Sequence, residues 1–209
     1  MSQSSRAPDV WVASSRTELK RAARMQRIER AAARAFAIRG YDGANLSDIA
    51  AELDLQGSSL YYYFSSKEEL FLRCLSHSAE QVFTRLQAIV DQHAADPASA
   101  LAPLVREQVV IEVRDFPDFV PLFFKMHLAN TRLADTVLEL RRRHAKIFES
   151  AATAAQAERH LDPRDVRVWL GVIFGALTYL PEWYDPNGPV GVEELADRMA
   201  RTLGEPFTR

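Results

Sequence analysis

The sequence predicts an all-α protein of about nine helices, a three-helix N-terminal domain followed by a larger helical bundle. Three observations carry this reading. Only 8 of 209 residues are glycine. Alternating Val, Ile and Thr runs bounded by turn residues do not occur. Apolar residues instead recur three and four positions apart, as in Ile28, Ala31, Ala32, Ala35 and Phe36. With 47% hydrophobic and 26% charged residues, the chain is apolar enough to bury a sizeable core and too apolar for intrinsic disorder.

The elements follow in order. Residues 1–16 read as a flexible polar arm without the apolar stretch of an export signal. A first helix runs from 17 to about 38, stopped by Gly40. Asn45 is suited to cap a short helix over 46–53, with Asp48 near its positive end. After Asp54 and Leu55, a second short helix covers about 57–63. Ser65 or Ser66 caps a long helix from 67 to about 93, which ends at Ala94-Ala95-Asp96-Pro97. Further helices are expected at 98–114, 117–129, 132–160, 163–184 and 192–204. Breaks fall at Pro117, Pro163 and the stretch from Pro181 to Gly191. The expected division is an arm (1–16), a helix-turn-helix domain (17–66) and a bundle (67–209). No apolar run approaches the roughly 18–20 residues that cross a bilayer. Cys74 is the one cysteine, which excludes an intrachain disulfide and fits a reducing cytoplasm.

Charge is unevenly placed. Residues 1–40 hold nine Lys/Arg, among them Arg6, Arg16 and Lys20, against three Asp/Glu, whereas the whole chain carries 26 Lys/Arg against 28 Asp/Glu. A basic end on an acidic body suits a local polyanion contact, with a solvated arginine-rich helix face as the bland alternative. The stretch from Leu46 to Phe64 has helix-turn-helix spacing. Ile49 with Leu53, and Leu60 with Phe64, give each short helix one apolar stripe. Packed together on the first helix they form a wedge, and its second helix fits a major groove roughly 12 Å wide. At about 100° per residue, Tyr61, Tyr62 and Tyr63 cannot all share the face of Leu60 and Phe64, so at least two point outward. Their hydroxyls beside Lys67 suit phosphate contact, while Gln56, Gly57, Ser58 and Ser59 lead the helix toward base edges. Packing between helices is the competing reading for the tyrosines, Tyr62 above all.

Gly40-Tyr41, Ile49-Ala50, Leu60-Tyr61-Tyr62-Tyr63-Phe64 and Lys67-Glu68-Glu69-Leu70 together closely resemble the N-terminal domain of the tetracycline-repressor (TetR) family over about residues 24–72. The resemblance implies a homodimeric, DNA-binding transcriptional repressor with an effector and dimerisation domain in the C-terminal bundle. It also implies that Tyr61, Tyr63 and Lys67 touch operator phosphates. Asn45 stands where a threonine cap is usual, and Asp54-Leu55-Gln56-Gly57 replaces the common Gly-Val-Ser turn, which leaves the operator sequence open.

The run Phe116 to Phe124 is the most apolar of the chain. With Met126, His127, Trp169 and Phe174 it could line a ligand cavity, although ordinary core is the simpler reading for any one of these residues. Arg141, Arg142 and His144 could meet effector phosphates or a carbonyl; a solvated helix face is the alternative. Trp183-Tyr184-Asp185-Pro186-Asn187-Gly188-Pro189 is similar to a C-terminal segment of family members that respond to acyl-CoA thioesters of fatty-acid or sterol catabolism; a rigid proline-rich connector is its competing reading. Trp169, Val172, Ile173, Ala176, Leu177 and Leu180 offer more apolar surface than one neighbouring helix covers, and so form the expected dimer face. No G-x-S-x-G, G-x-x-x-x-G-K-[ST], G-x-G-x-x-G or H-E-x-x-H occurs. The expectation is therefore a non-enzyme without cofactor or metal, whose partners are operator DNA, a small effector and a second copy. A drug-responsive efflux repressor and, in another class, a helical-bundle enzyme or carrier are the rival readings.

Overall fold

The computed structural model describes residues 10–204, with side chains from residue 16 onward except at 57 and 58. The described residues are helical throughout, with no strand. The α-helices are α1 (Val10–Gly43), α2 (Leu46–Glu52), α3 (Gly57–Tyr61), α4 (Lys67–Gln92), α5 (Leu101–Val110), α6 (Thr131–Arg159), α7 (Pro163–Trp183) and α8 (Val192–Gly204). Helix α1 starts earlier than the expected residue 17, so part of the expected arm is helical; the rest of it, residues 1–9 with Arg6, lies outside the described residues. The helix expected over 117–129 is also corrected. Only a short π-helical turn, Pro121–Lys125, forms there, and α5 likewise ends in a π-turn, Ile111–Asp115. Pro121 would fall inside a regular helix over 117–129, where its missing N–H removes a backbone hydrogen bond.

The chain divides into two compact units between Cys74 and Leu75, somewhat beyond the expected boundary at residue 66. Helix α4 is continuous, with its first two turns in the first unit and the remainder in the second. In the first unit, α1 buries Ile28, Ala32, Ala35 and Phe36, and α2 buries Leu46, Ile49 and Ala50. Gly40 breaks the helical run of α1 at φ 71°, a conformation glycine adopts without strain. The turn it makes lays Tyr41 against Phe36 and Phe71, with ring centroids 6.0 and 5.2 Å away. Ser66 caps α4: its hydroxyl accepts from the Glu69 N–H at 3.1 Å, while the Glu69 carboxylate accepts from the Ser65 N–H at 2.7 Å.

In the second unit, α6 and α7 carry long buried stripes, Leu133 to Ala155 and Val166 to Leu180. Both start on side-chain caps: Asn130 accepts from the Arg132 N–H at 3.0 Å and Asp162 from the Arg164 N–H at 2.8 Å. Pro163 follows as the first residue of α7, where its missing N–H costs nothing. Helix α8 lies on α5, burying Leu195, Ala196 and Ala200. Arg106 pairs with Glu193 and, at 2.7 Å, with Asp197, and Arg114 pairs with Glu193 at 2.6 Å. Among the described residues no helix is long and apolar enough to cross a membrane.

Helix α8 approaches α5 closely at Gly204, where an added Cβ would stand 2.7 Å from the Ala102 Cβ and 3.0 Å from its Cα. Neither atom can turn aside. Gly204→Val is therefore expected to loosen α8 and cost about 1–3 kcal/mol, read as a lower urea midpoint; an unchanged midpoint would show that the end of α8 adapts freely.

Candidate nucleic-acid interface and interior pocket

The wedge is built as its residues dictate. Asn45 Oδ1 accepts from the Ser47 N–H at 2.9 Å and so caps α2, and Arg39 holds Asp48 at 2.6 Å. Leu53 and Leu55 N–H groups both return to the Ala50 carbonyl, closing the turn around Asp54, whose φ is 56°. Gln56 stands at the N-cap position of α3 but makes no side-chain cap bond, which leaves its amide exposed. Ser59 is half-buried; the side chain of Ser58 and the surroundings of Gly57 lie outside the described residues.

Leu60 and Phe64 are buried, and the tyrosines divide around them. Tyr61 is 61% exposed and Tyr62 77% exposed. Tyr63 is half-buried, with its ring edge-on to Tyr62 at 5.2 Å. The packing alternative for Tyr62 is thereby corrected: it is the most outward of the three, and Tyr63 is the one turned partly inward. Lys67 Nζ donates to the Asp42 carbonyl at 3.1 Å and lies 4.7 Å over the Tyr41 ring. The backbone turn after Gly40 therefore positions the ammonium. Arg16, Lys20, Arg24, Arg27, Arg30 and Arg34 are all exposed on α1 at three- and four-residue spacing.

In the second unit, the Arg141–His144 run fans around α6. Arg141 is half-buried and donates to the Phe123 carbonyl. Arg142 is exposed and reaches Glu139 at 3.7 Å. Arg143 forks onto Glu80 at 2.6 and 3.2 Å, with its guanidinium 4.9 Å from the Phe83 ring centre. His144 is fully inside. The rings of Phe83, Phe119, Phe123, Phe124, Phe148 and Phe174 all lie between 5.5 and 6.1 Å from its imidazole.

Of the expected cavity residues, Phe119, Phe123, His144 and Phe174 thus come together. Phe116 and Met126 are half-buried. His127 is exposed, and Trp169 donates its indole N–H to the Leu203 carbonyl of α8. Their expected places in the cavity are corrected. The break after Lys125 turns His127 outward, and the α8 contact occupies the Trp169 N–H.

A polar chain that the sequence reading missed joins this cluster. Gln108 Oε1 is 3.0 Å from His144 Nε2, and Gln108 Nε2 donates to Glu112 Oε1 at 2.7 Å. All three side chains are buried. Desolvation pushes the Glu112 carboxyl up to about 8 and holds the His144 imidazole down at about 4, so both are neutral near pH 7. Gln108 and Glu112 continue the three- and four-residue spacing of Leu101, Leu104 and Val105, and polar residues on that apolar stripe were the available signal.

The expected dimer face is also redrawn. Trp169, Ile173, Leu177 and Leu180 are buried within the chain's own unit. The outward apolar stripe of α7 is Val168, Val172, Ala176, Tyr179 and Trp183. Gly171 and Gly175 are exposed as well, and an added Cβ at either would meet nothing. Beyond α7, Tyr184 donates its hydroxyl to the Val190 carbonyl at 2.9 Å, and the Gly188 N–H returns to the Asp185 carbonyl at 3.0 Å. These two bonds fold the proline-rich segment back on itself.

Comparison with known proteins agrees with this geometry. The HTH-type transcriptional repressor KstR2 of Mycolicibacterium smegmatis is 26% identical over 186 residues, spanning 88% of this chain and 90% of that protein. The transcriptional repressor NicS of Pseudomonas putida is 35% identical over 78 residues, 37% of this chain and 36% of NicS. The fold is that of KstR2 of Mycobacterium tuberculosis, at TM-score 0.75 and 23% identity over 89% of this chain and 95% of that one. AibR, solved with isovaleryl coenzyme A and operator DNA, superimposes at TM-score 0.69 and 23% identity over 86% of this chain and 97% of AibR. Residues 28–74 match the family model for bacterial regulatory proteins of the tetR family, and residues 94–205 match that of the tetracycline-repressor-like C-terminal domain. With the second match alone covering more than half of its length, the chain belongs to the tetracycline-repressor family of bacterial transcriptional regulators.

Proposed function

We propose that this chain is a transcriptional repressor that grips a two-fold operator as a homodimer and releases it when an amphipathic acid or its CoA thioester enters the second unit. The observation that carries the DNA-binding half is the exposure of Tyr61 and Tyr62 at the end of α3, with Lys67 tethered at the start of α4 a few residues on. Polar-tipped groups held in fixed positions suit phosphates, which position a recognition helix without reading sequence. Gln56, Ser58, Ser59 and the amide of Gly57 lead that helix and are the base readers in this scheme. Asn45 supports them through the cap, and Tyr63 supports them by packing.

A two-fold operator needs wedges about 34–36 Å apart or a multiple of that, which a two-fold dimer supplies. The outward stripe of α7 supports such a dimer, because Val168, Val172, Tyr179 and Trp183 are each more than half exposed. A groove of about 780 Å³ between α4 and α6 supports the effector class. Its floor is apolar, with Phe83 and Ile147, and its rim carries Arg142, Arg143 and Lys146 alongside Glu80, Asp91 and Glu139. Apolar floor and cationic rim match an acyl chain and phosphates respectively. AibR, bound to both isovaleryl coenzyme A and operator DNA, lends the same class of effector by similarity. Release requires that the ligand favour a conformation that binds DNA poorly, since it shifts an equilibrium only by differential affinity. Helix α4 carries Lys67 at one end and Glu80 and Phe83 further along, which makes it a direct covalent route between the two events.

Lys67→Ala is expected to weaken binding about equally on promoter and random DNA and to lower the salt slope by about one unit; lost sequence preference at an unchanged slope would assign Lys67 a different role. Val172→Arg is expected to yield a folded monomer by light scattering and circular dichroism, whereas Ile173→Arg, which buries the charge, is expected to unfold the chain. A dimeric Val172→Arg would move the interface elsewhere. Medium- and long-chain acyl-CoAs and their free acids are expected to release promoter DNA in a gel shift. Release by cationic drugs alone would replace the thioester reading with that of an efflux repressor.

A further inference from the structure

Helix α1 projects past the core it helps to build. Among the described residues its first buried side chain is Ile28, and from Arg16 to Arg27 every residue but the half-buried Met25 is exposed. Packing therefore does not account for what this segment carries. It also precedes residues 28–74, the part that matches the family model. Arg16, Lys20, Arg24, Arg27, Arg30 and Arg34 share one face of α1, within about 120° of arc and roughly 27 Å of length at about 100° and 1.5 Å per residue. The two carboxylates in the same span, Glu18 and Glu29, fall on the other side of the helix, and Glu29 is engaged by Arg73 at 2.9 Å. Like charges three and four apart lower the stability of a helix. Here one such step follows another from Arg16 to Arg34, with no carboxylate between them on that face. A partner of opposite charge lying along the stripe relieves that repulsion.

We propose that this projecting part of α1 is a second DNA-contacting surface, which lays Arg16, Lys20, Arg24 and Arg27 along phosphates that flank the stretch held by α3. The stripe begins at the wedge: Arg34 reaches Glu52 of α2 at 3.7 Å, and Arg39 holds Asp48 of the same helix at 2.6 Å. In helix-turn-helix docking the helix before the recognition helix crosses the backbone, so a stripe that starts beside α2 starts near phosphates. Duplex DNA carries one charge per about 1.7 Å of its axis, and so offers partners along the whole stripe. A membrane surface fits less well, because between Arg16 and Arg27 the only large apolar residues are Leu19 and Met25, too few for a face that lies in a bilayer interface. Long cationic side chains on phosphates add affinity without reading sequence. The inference rests on the DNA-binding reading above, and adds that the grip extends beyond the wedge.

The test combines Arg16→Gln, Lys20→Gln, Arg24→Gln and Arg27→Gln in the full chain. All four side chains are exposed and glutamine favours helix, so the fold is expected to persist by circular dichroism. Binding to promoter and to random DNA is measured from about 50 to 200 mM salt. The salt slope is expected to fall by about three to four units for each bound copy, equally on both DNAs, against about one unit for Lys67→Ala. In hydroxyl-radical protection of promoter DNA, the combined variant is expected to lose protected sugars that Lys67→Ala keeps. An unchanged slope, a lost preference for the promoter, or loss of the same sugars as Lys67→Ala would each overturn the inference while the repressor reading stands. A wild-type chain that binds neither DNA would overturn both.

Discussion

Helix α3 has five residues, far fewer than the dozen or so a helix needs to persist alone in water. Its existence depends on the burial of Leu60 and Phe64 against the first unit, and most of what that unit presents outward follows. Once these two face inward, the angular step of the helix sends Tyr61 and Tyr62 out. The turn that ends α3 hands the chain to Ser66, which starts α4 so that Lys67 meets the Asp42 carbonyl and the face of Tyr41. That lysine has one bond to backbone and a ring beneath it. It is thus a charge held at a chosen place rather than one sweeping a sphere on a flexible stem.

The second unit is organised by a different demand. Its interior is filled with aromatic rings, yet a glutamine, a glutamate and a histidine are buried among its helices with each other as partners. Neutrality makes this tolerable, because burial keeps a proton on Glu112 and off His144. Two helices, α5 and α6, are cross-linked by the chain at the point where the π-turns interrupt regular packing. Such irregularity is found where backbone must be bent to aim side chains, and here it brings Phe119, Phe123 and Phe124 to His144.

Much of this was legible in the sequence. The all-helical class, the wedge from Leu46 to Phe64, the Asn45 cap and the outward tyrosines follow from periodicity and cap chemistry. What escaped was a choice between equivalent faces. Helix α7 is apolar nearly all round, so spacing could not say whether Ile173 or Val172 faces the core; the packing of α6 and α8 decides it. Tyr62 and Tyr63 likewise differ by a single angular step, and the site where α3 unwinds settles which turns inward. The stretch 117–129 has an apolar spacing that suits a helix, but Pro121 removes an N–H that its interior would need. His127 and Trp169 were placed in the cavity by residue type, whereas position after a break and contact with Leu203 determine where they are.

The fork of Arg143 on Glu80, laid over Phe83, separates the open groove from the aromatic interior. Both partners of the pair are near half-exposed, so it adds little to stability. Phe83 beneath them is buried. A molecule moving from the groove toward His144 would have to displace that ring. Entry and exit by that route would share its opening frequency, so occupancy inside the bundle would be slow to follow a passing change in concentration outside. On that route the second unit would average over time, with a memory set by how often a single phenylalanine opens.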